Sequence, residues 1–288
     1  MNIKKVGKIC GDQDGAIFGN ELFRFGTFGE CSVYNLDDLK ADEPTELVPV
    51  SSFTLDRADV IAPHSNAVTF GADFFDPTDK YPLLYTNVYN NYRNCDNKLL
   101  GVCCVYRLKR TENHFESILV QLIEIDFCDD AEHWRAYPDC HGDRPYGNFI
   151  VDRERRRYIA FVMKNEEQGT PYFEFDIPSL DSGEIDAELG VRRVKLSISH
   201  VQESFWCPYH RFMQGAAVHG GMIYSTEGFS NDEINRPAIR IISTAQKRQE
   251  RYIDLMALGY LEEPEMIDFC GDDCYYSDAH GNLYKIEF

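Results

Sequence analysis

The sequence predicts an all-β fold built from repeated units. The segment from Gln13 to Phe23 returns as Gln214 to Tyr224, and Glu265 to Tyr275 repeats the spacing again. Each copy has a polar first residue, a short apolar strand, a glycine turn and a second apolar strand. Between the copies, short runs rich in Val, Ile, Tyr and Phe alternate with Gly, Asn, Asp and Pro, and helical patterns are scarce. A repeat of this kind indicates a repeated architecture.

Grouping four strands in each unit divides the chain into sheets that stand around an axis, the blades of a β-propeller. Period-two alternation within Ala245 to Leu258 favours a strand there over a helix. The first four blades are predicted over about Gln13 to Leu55, Asn66 to Ile125, Asn148 to Ser199 and Gln214 to Leu255.

The fifth blade, from Glu265 to Phe288, contains only three strands, whereas Ile3 to Cys10 alternates like a strand before the first repeat. Pairing this N-terminal strand with the C-terminal blade would close the ring and remove two exposed sheet edges. We therefore predict a five-bladed β-propeller in a single domain, residues 1–288, closed in this way. Six blades and a β-sandwich are the alternatives.

Through its three repeat copies the chain resembles five-bladed β-propellers in general, over nearly its whole length. The resemblance is one of architecture and points to no particular family. It implies that the innermost strand of each blade lines a central channel and begins at the face where ligands enter. Position one of the repeat should therefore point to the mouth of that channel.

All five residues at this position have amide or carboxyl side chains, and we call them the head residues. Such groups can bind sugar hydroxyls, a metal ion or ordered water, because carboxylates accept hydrogen bonds and amides both accept and donate them. The same groups can also serve only to satisfy neighbouring backbone. The head residues are Gln13, Asn66, Asn148, Gln214 and Glu265.

Connections between the blades add ionisable and aromatic side chains near the head residues. His64 precedes Asn66, and His210 and Arg211 precede Gln214, so these groups could converge at the mouth. A histidine near carboxylates can act as an acid or a base, and we predict Glu265 and His64 for these roles.

The other head residues, with His210 and Arg211, are predicted to bind and orient the ligand. Trp134 and Trp206 lie in the two longest connections, Asp126 to Tyr146 and Ser199 to Met213, and are predicted to stack on it. The competing reading is that these rings only seal the gaps between blades.

Composition limits the choice of partners and compartment. The net charge of -19 repels phosphate backbones and anionic lipid surfaces, so we expect neither nucleic acid nor a membrane as partner. No stretch approaches the roughly 18 apolar residues that span a bilayer, and the first ten residues lack the apolar core of a secretory leader. We therefore expect a cytoplasmic protein with reduced cysteines. The sequence does not indicate an oligomeric state.

No complete metal-binding or cofactor motif is present in the sequence, so we predict no cofactor and no assigned metal ligands. A divalent cation such as calcium is the alternative. The predicted function is binding of a small polar ligand, a carbohydrate, at the channel mouth, with glycoside hydrolysis as its sharper form. The alternative function is that of a non-catalytic scaffold that binds other proteins on the same face.

Overall fold

The computed structural model describes residues 1–88, 99, 101–112, 114–126, 148–161, 169–210 and 212–288. Strands dominate this part of the chain, and its helical structure is limited to short turns such as α1 (Ala58–Ile61). The strands in chain order are β1 (Asn2–Lys8), β2 (Gly15–Phe18), β3 (Glu21–Phe25), β4 (Glu30–Asn35), β5 (Thr45–Glu46), β6 (Ser51–Thr54), β7 (Val68–Phe70), β8 (Leu84–Asn87), β9 (Cys103–Arg110), β10 (Phe115–Ile125), β11 (Asn148–Asp152), β12 (Arg157–Phe161), β13 (Thr170–Asp176), β14 (Glu184–Ile185), β15 (Arg192–Leu196), β16 (Glu203–Cys207), β17 (Met213–His219), β18 (Met222–Glu227), β19 (Ala238–Ser243), β20 (Arg248–Asp254), β21 (Pro264–Cys270), β22 (Asp273–Asp278) and β23 (Asn282–Glu287).

These strands form five sheets, which confirms the prediction of a five-bladed β-propeller. Blade 1 has the order β2-β3-β4-β6, blade 3 has β11-β12-β13-β16, and blade 4 has β17-β18-β19-β20. Blade 2 begins with β7 and blade 5 with β21. The five first strands contact one another around the axis, so the start of each lies at the channel.

The ring closes where the sequence predicted, because β1 joins blade 5. It pairs antiparallel with β23, from Asn2 opposite Glu287 to Lys8 opposite Asn282. The short β5 adds to the free side of β1 in parallel. The N-terminal strand thus supplies the fourth strand of blade 5, and the edges of both ends of the chain are covered.

The predicted limits of blade 3 are wrong at their C-terminal end. Its outermost strand is β16, which lies beyond Ser199 and pairs with β13. The segment that contains β14 and β15 belongs to blade 2, where β15 runs parallel to β10. The physical reason is the length of β10, whose last residues, Gln121–Ile125, offer hydrogen-bonding groups on their outer side to β15.

Apolar side chains fill the space between neighbouring blades and hold the inner strands in place. Between blades 1 and 2, the rings of Phe23 and Phe70 pack edge to face with centroids 5.1 Å apart, and those of Phe23 and Phe115 with centroids 5.5 Å apart. Such contacts add to the free energy of burying large aromatic surfaces. No helix in the described part of the chain has the length and apolarity needed to cross a membrane.

The glycine turns of the repeat share one backbone conformation. Gly19, Gly220 and Gly271 each follow the inner strand of their blade and have φ of +61°, +55° and +59°. This left-handed region favours glycine because a Cβ atom is strained there. The sequence echo therefore records a real structural equivalence between blades 1, 4 and 5.

Candidate site at the channel mouth

The five head residues stand at the start of the five inner strands. Their side chains are almost entirely enclosed, since the most exposed of the five residues retains only 8% of its accessible surface. Buried amides and carboxyls need hydrogen-bond partners, so the contacts of each decide what it can do. The five are Gln13, Asn66, Asn148, Gln214 and Glu265.

Two head residues occupy β-bulges at the same place in their blades. Pairing of β17 with β18 shifts between Met213 and Gly215, and pairing of β21 with β22 shifts between Pro264 and Met266. The residues in between, Gln214 and Glu265, are the head residues. A bulge locally breaks the ladder and re-aims the side chain of the extra residue, which is common beside functional sites.

The amides of blades 2 and 3 are joined by Asn87, which the sequence analysis did not single out. Its Nδ2 donates to Oδ1 of Asn66 at 2.7 Å and to Oδ1 of Asn148 at 3.3 Å. Its own Oδ1 accepts a hydrogen bond from the backbone of Ala67 at 3.1 Å. These two head residues therefore have structural partners within the ring.

The head residues of blades 4 and 5 meet at Glu263, on the connection between these blades. Nε2 of Gln214 donates to a carboxyl oxygen of Glu263. Burial raises the pKa of Glu263 to about 7. Burial, with the nearby Glu263 carboxyl adding to it, raises the pKa of Glu265 well above its usual value. Oε2 of Glu265 has no hydrogen-bond partner among the described residues.

Arg24 lies beside these carboxyls, on the second strand of blade 1. It is 1% exposed, and its Nη2 donates to the carbonyl oxygens of Gly11 at 3.4 Å and of Asp278 at 3.3 Å. Its Nε and Nη1 have no hydrogen-bond partner within the described chain. Burial lowers the pKa of Arg24, and the negative charges of Glu265 and other carboxylates oppose this shift.

Asp14 fills the channel just inside the mouth. Its Oδ2 accepts a hydrogen bond from the backbone of Val68 in blade 2 at 2.8 Å. On the opposite side is blade 4, where a Cβ atom on Gly215 would lie 2.6 Å from Oδ1 of Asp14 and 2.6 Å from the carbonyl oxygen of Glu265. Glycine at position 215 is therefore what lets the inner strands approach this carboxyl.

The other end of the channel is closed by Arg153 from blade 3. Its Nε donates to the carbonyl oxygen of Phe70 at 2.9 Å and its Nη2 to that of Ile17 at 3.3 Å. Nη2 also lies 4.0 Å from Oδ2 of Asp268 in blade 5. One side chain thus contacts three neighbouring blades in addition to its own.

His64 is half-buried on the connection that leads into blade 2, directly before Ser65 and the head residue Asn66. The carbonyl oxygen of Ser65 accepts a hydrogen bond from the backbone of Asp14 at 3.1 Å, so this connection reaches the mouth. No hydrogen bond or ion pair within the described chain joins His64 directly to Glu265.

His210 is enclosed between blades 3 and 4 rather than open to the mouth. Its Nε2 lies 2.7 Å from the hydroxyl of Tyr172, and its Nδ1 lies 3.5 Å from Oε2 of Glu227. Burial, with the charge of Arg240 adding to it, lowers the pKa of His210 well below its usual value, so the ring is neutral. Both ring nitrogens of His210 therefore face protein groups, because this connection passes into the gap between the blades. These contacts do not support the role in ligand binding that was predicted for His210.

Trp206 was predicted in a loop, and this placement is wrong. It lies on β16, the outermost strand of blade 3, opposite Pro171, and is 54% exposed. Its neighbours Phe205 and Cys207 are buried, so the strand alternation turns Trp206 outward. The structure does not bring it to the head residues. Arg211 and Trp134, the remaining predicted binding residues, lie outside the described residues.

The sequence analysis missed Arg24 and Asp14 as members of the site. A signal for Arg24 was present, because a charged residue interrupts the apolar run Leu22–Phe25 in the middle of a strand. Within the described residues, no three His, Cys, Asp or Glu side chains are arranged to hold a metal ion.

Comparisons with known proteins support the fold. No family model matches the chain, and no curated protein matches it. Among solved structures, the chain is similar to glutaminyl cyclase from Myxococcus xanthus, with a TM-score of 0.51 and 9% identity over 100% of this chain and 94% of that one. It also matches BamB from Moraxella catarrhalis (TM-score 0.35, 9% identity, 100% of this chain and 62% of that one) and hydrazine synthase from Kuenenia stuttgartiensis (TM-score 0.38, 13% identity, 92% and 61%). The similarity to the Myxococcus xanthus structure supports the propeller fold and nothing finer.

Proposed function

We propose that the protein binds a small polar ligand, a carbohydrate, at the channel mouth, with Gln13, Arg24 and Glu265 as its main hydrogen-bonding groups. The proposal depends mainly on one observation. Oε1 of Gln13, Oε2 of Glu265, and Nε and Nη1 of Arg24 are buried without hydrogen-bond partners among the described residues. Buried polar atoms are nearly always paired in native proteins, so a group of unpaired ones suggests a place for a ligand. Sugar hydroxyls can both donate to the two oxygens and accept from the nitrogens.

The sharper form of the proposal is glycoside hydrolysis. Burial keeps the Glu265 carboxyl protonated at a pH where an ordinary glutamate is ionised, as a general acid requires. Hydrolysis of a glycosidic bond also uses a second carboxyl or a base. Glu263, close enough to raise the pKa of Glu265, and His64, next to Asn66, are the two candidates for that role.

Binding is tested by thermal shift and calorimetry with a panel of neutral and acidic monosaccharides and oligosaccharides. We expect at least one saccharide to stabilise the protein. Gln13→Met removes one acceptor at similar volume and should weaken binding up to about tenfold, the worth of one hydrogen bond. The matched control is Asp268→Asn, which changes a buried carboxyl on β21 at the opposite end of the channel. Equal loss in both variants, or no stabilisation by any saccharide, would contradict the proposal.

Hydrolysis is tested separately with chromogenic glycosides of the saccharides that bind. Glu265→Gln should abolish turnover and leave binding largely intact, because the amide keeps the acceptor and cannot protonate the leaving group. Unchanged turnover in Glu265→Gln would remove this residue from the acid role.

The second candidate function is a protein-binding scaffold without catalysis. It is favoured by the channel itself, which is filled by Asp14 near the mouth and by Arg153 at the other end. A scaffold needs no opening to the head residues, and their burial would then be structural. Absence of stabilisation by every small ligand in the panel is the result that this candidate predicts.

A further inference from the structure

Two buried arginines in this protein have opposite surroundings. Arg240, on β19, donates from Nε to Glu227 at 2.7 Å, from Nη1 to Gln249 at 2.6 Å, and from Nη2 to the carbonyl oxygen of Tyr209 at 2.6 Å. It therefore has a carboxylate and a partner for every nitrogen, as a buried structural arginine normally has.

Arg24 is more deeply buried and has fewer contacts. It forms no ion pair within the described chain, and only Nη2 makes hydrogen bonds, both of them long and to neutral carbonyl oxygens. A buried guanidinium whose Nε and Nη1 are unpaired is costly for the folded state unless a negative group meets it. This contrast with Arg240 requires an explanation that is specific to the mouth.

The carboxyl groups near Arg24 do not supply the negative partner that its unpaired nitrogens lack. Both carboxyl oxygens of Asp278 accept hydrogen bonds within its own turn, from the backbone and the side chain of Asn282. Asp12 accepts from Thr27. Neither Glu265 nor Asp14 forms an ion pair with Arg24 among the described residues. Burial raises the pKa of both carboxyls, and the charge of Arg24 opposes this rise.

We propose that the ligand of the mouth carries a carboxylate that pairs with Arg24, and that it is a uronic acid unit of an acidic saccharide. The inference rests on the proposed function and narrows its ligand class. Arginine is suited to carboxylates because its donors match their geometry and its charge persists when buried. A uronic acid also has ring hydroxyls, which donate to Oε1 of Gln13 and Oε2 of Glu265. Arg24 is then the residue that determines specificity for the acid over the neutral sugar.

The test changes the ligand first, so that it does not depend on a buried variant that folds. Calorimetry compares glucuronate and galacturonate with their C6 methyl esters and with glucose and galactose, all on the unmodified protein. The inference predicts that an acid binds at least tenfold more tightly than its own ester. Equal binding of acid and ester would overturn it while the proposed function stands. Binding of none of these saccharides or of their oligomers would overturn both.

A conservative variant then assigns the effect to Arg24. Arg24→Lys keeps the charge and loses Nε and the planar donors, so the preference for the acid over its own ester should fall at least tenfold. The control is Arg153→Lys at the opposite end of the channel, which should keep the preference. A preference that survives in Arg24→Lys, or that is lost equally in the control, would show that another residue binds the carboxylate.

Discussion

Glu263 offers the most direct check on the electrostatics of the mouth. Burial raises its pKa from the usual 4.5 to about 7. Between these values the folded protein keeps a proton that the unfolded chain has lost. The free energy of unfolding therefore falls as the pH rises from 4.5 to 7, and stays lowered above that.

Replacing Glu263 with glutamine removes this loss, because an amide does not titrate and can still accept the hydrogen bond from Gln214. The full pKa difference corresponds to about 3 kcal/mol at 1.36 kcal/mol per pH unit. Glu263 is only partly enclosed, and solvent screening reduces this to about 1 to 2 kcal/mol. The difference in stability between Glu263→Gln and the unmodified protein should grow by that amount from pH 4.5 to pH 8.

The assay is urea unfolding at several pH values, with each variant measured beside the unmodified protein. Glu46→Gln is the control, since it removes a negative charge from an exposed side chain on β5 that forms no ion pair within the described chain. The control difference should stay nearly constant over this range. A flat or falling difference for Glu263→Gln would refute the claim that burial holds this carboxyl protonated.

Two further changes test the packing that surrounds the site. Gly215→Ala places a Cβ atom 2.6 Å from Oδ1 of Asp14 and should lower the free energy of unfolding by about 1 to 3 kcal/mol. The matched change Gly26→Ala places a Cβ atom 3.0 Å from a carboxyl oxygen of Glu30 and 3.6 Å from one of Asp12, both at the ends of side chains, and should be nearly neutral in the same urea assay. Glu227→Ala leaves the buried Arg240 without its carboxylate and should cost about 3 to 5 kcal/mol in urea unfolding. A loss under 1 kcal/mol would show that this buried pair within blade 4 contributes little to stability.

The number of blades and the closure of the ring could be predicted because both follow from local patterns in the sequence. Gly19, Gly220 and Gly271 mark equivalent turns, and an alternating strand at the N-terminus had no partner near it in sequence. The sheet that β15 joins could not be predicted in this way. Alternation indicates that Arg192–Leu196 is a strand, but which sheet edge accepts it depends on the length of β10.

The head residues could likewise be placed from the repeat, whereas their partners could not. Arg24 and Asp278 are brought together by ring closure across most of the chain. The loop placement predicted for Trp206 was wrong for a related reason, since the length of a connection does not reveal whether part of it joins a sheet. In both cases the deciding contacts come from residues far away in sequence.

If the unpaired buried atoms at the mouth receive a ligand, a crystal structure of the protein with the saccharide that stabilises it most will show the contacts. We predict ligand hydroxyls within 2.6 to 3.2 Å of Oε1 of Gln13 and Oε2 of Glu265, in the usual range for hydrogen bonds. A saccharide bound elsewhere on the propeller, with both atoms still enclosed by protein alone, would contradict the account.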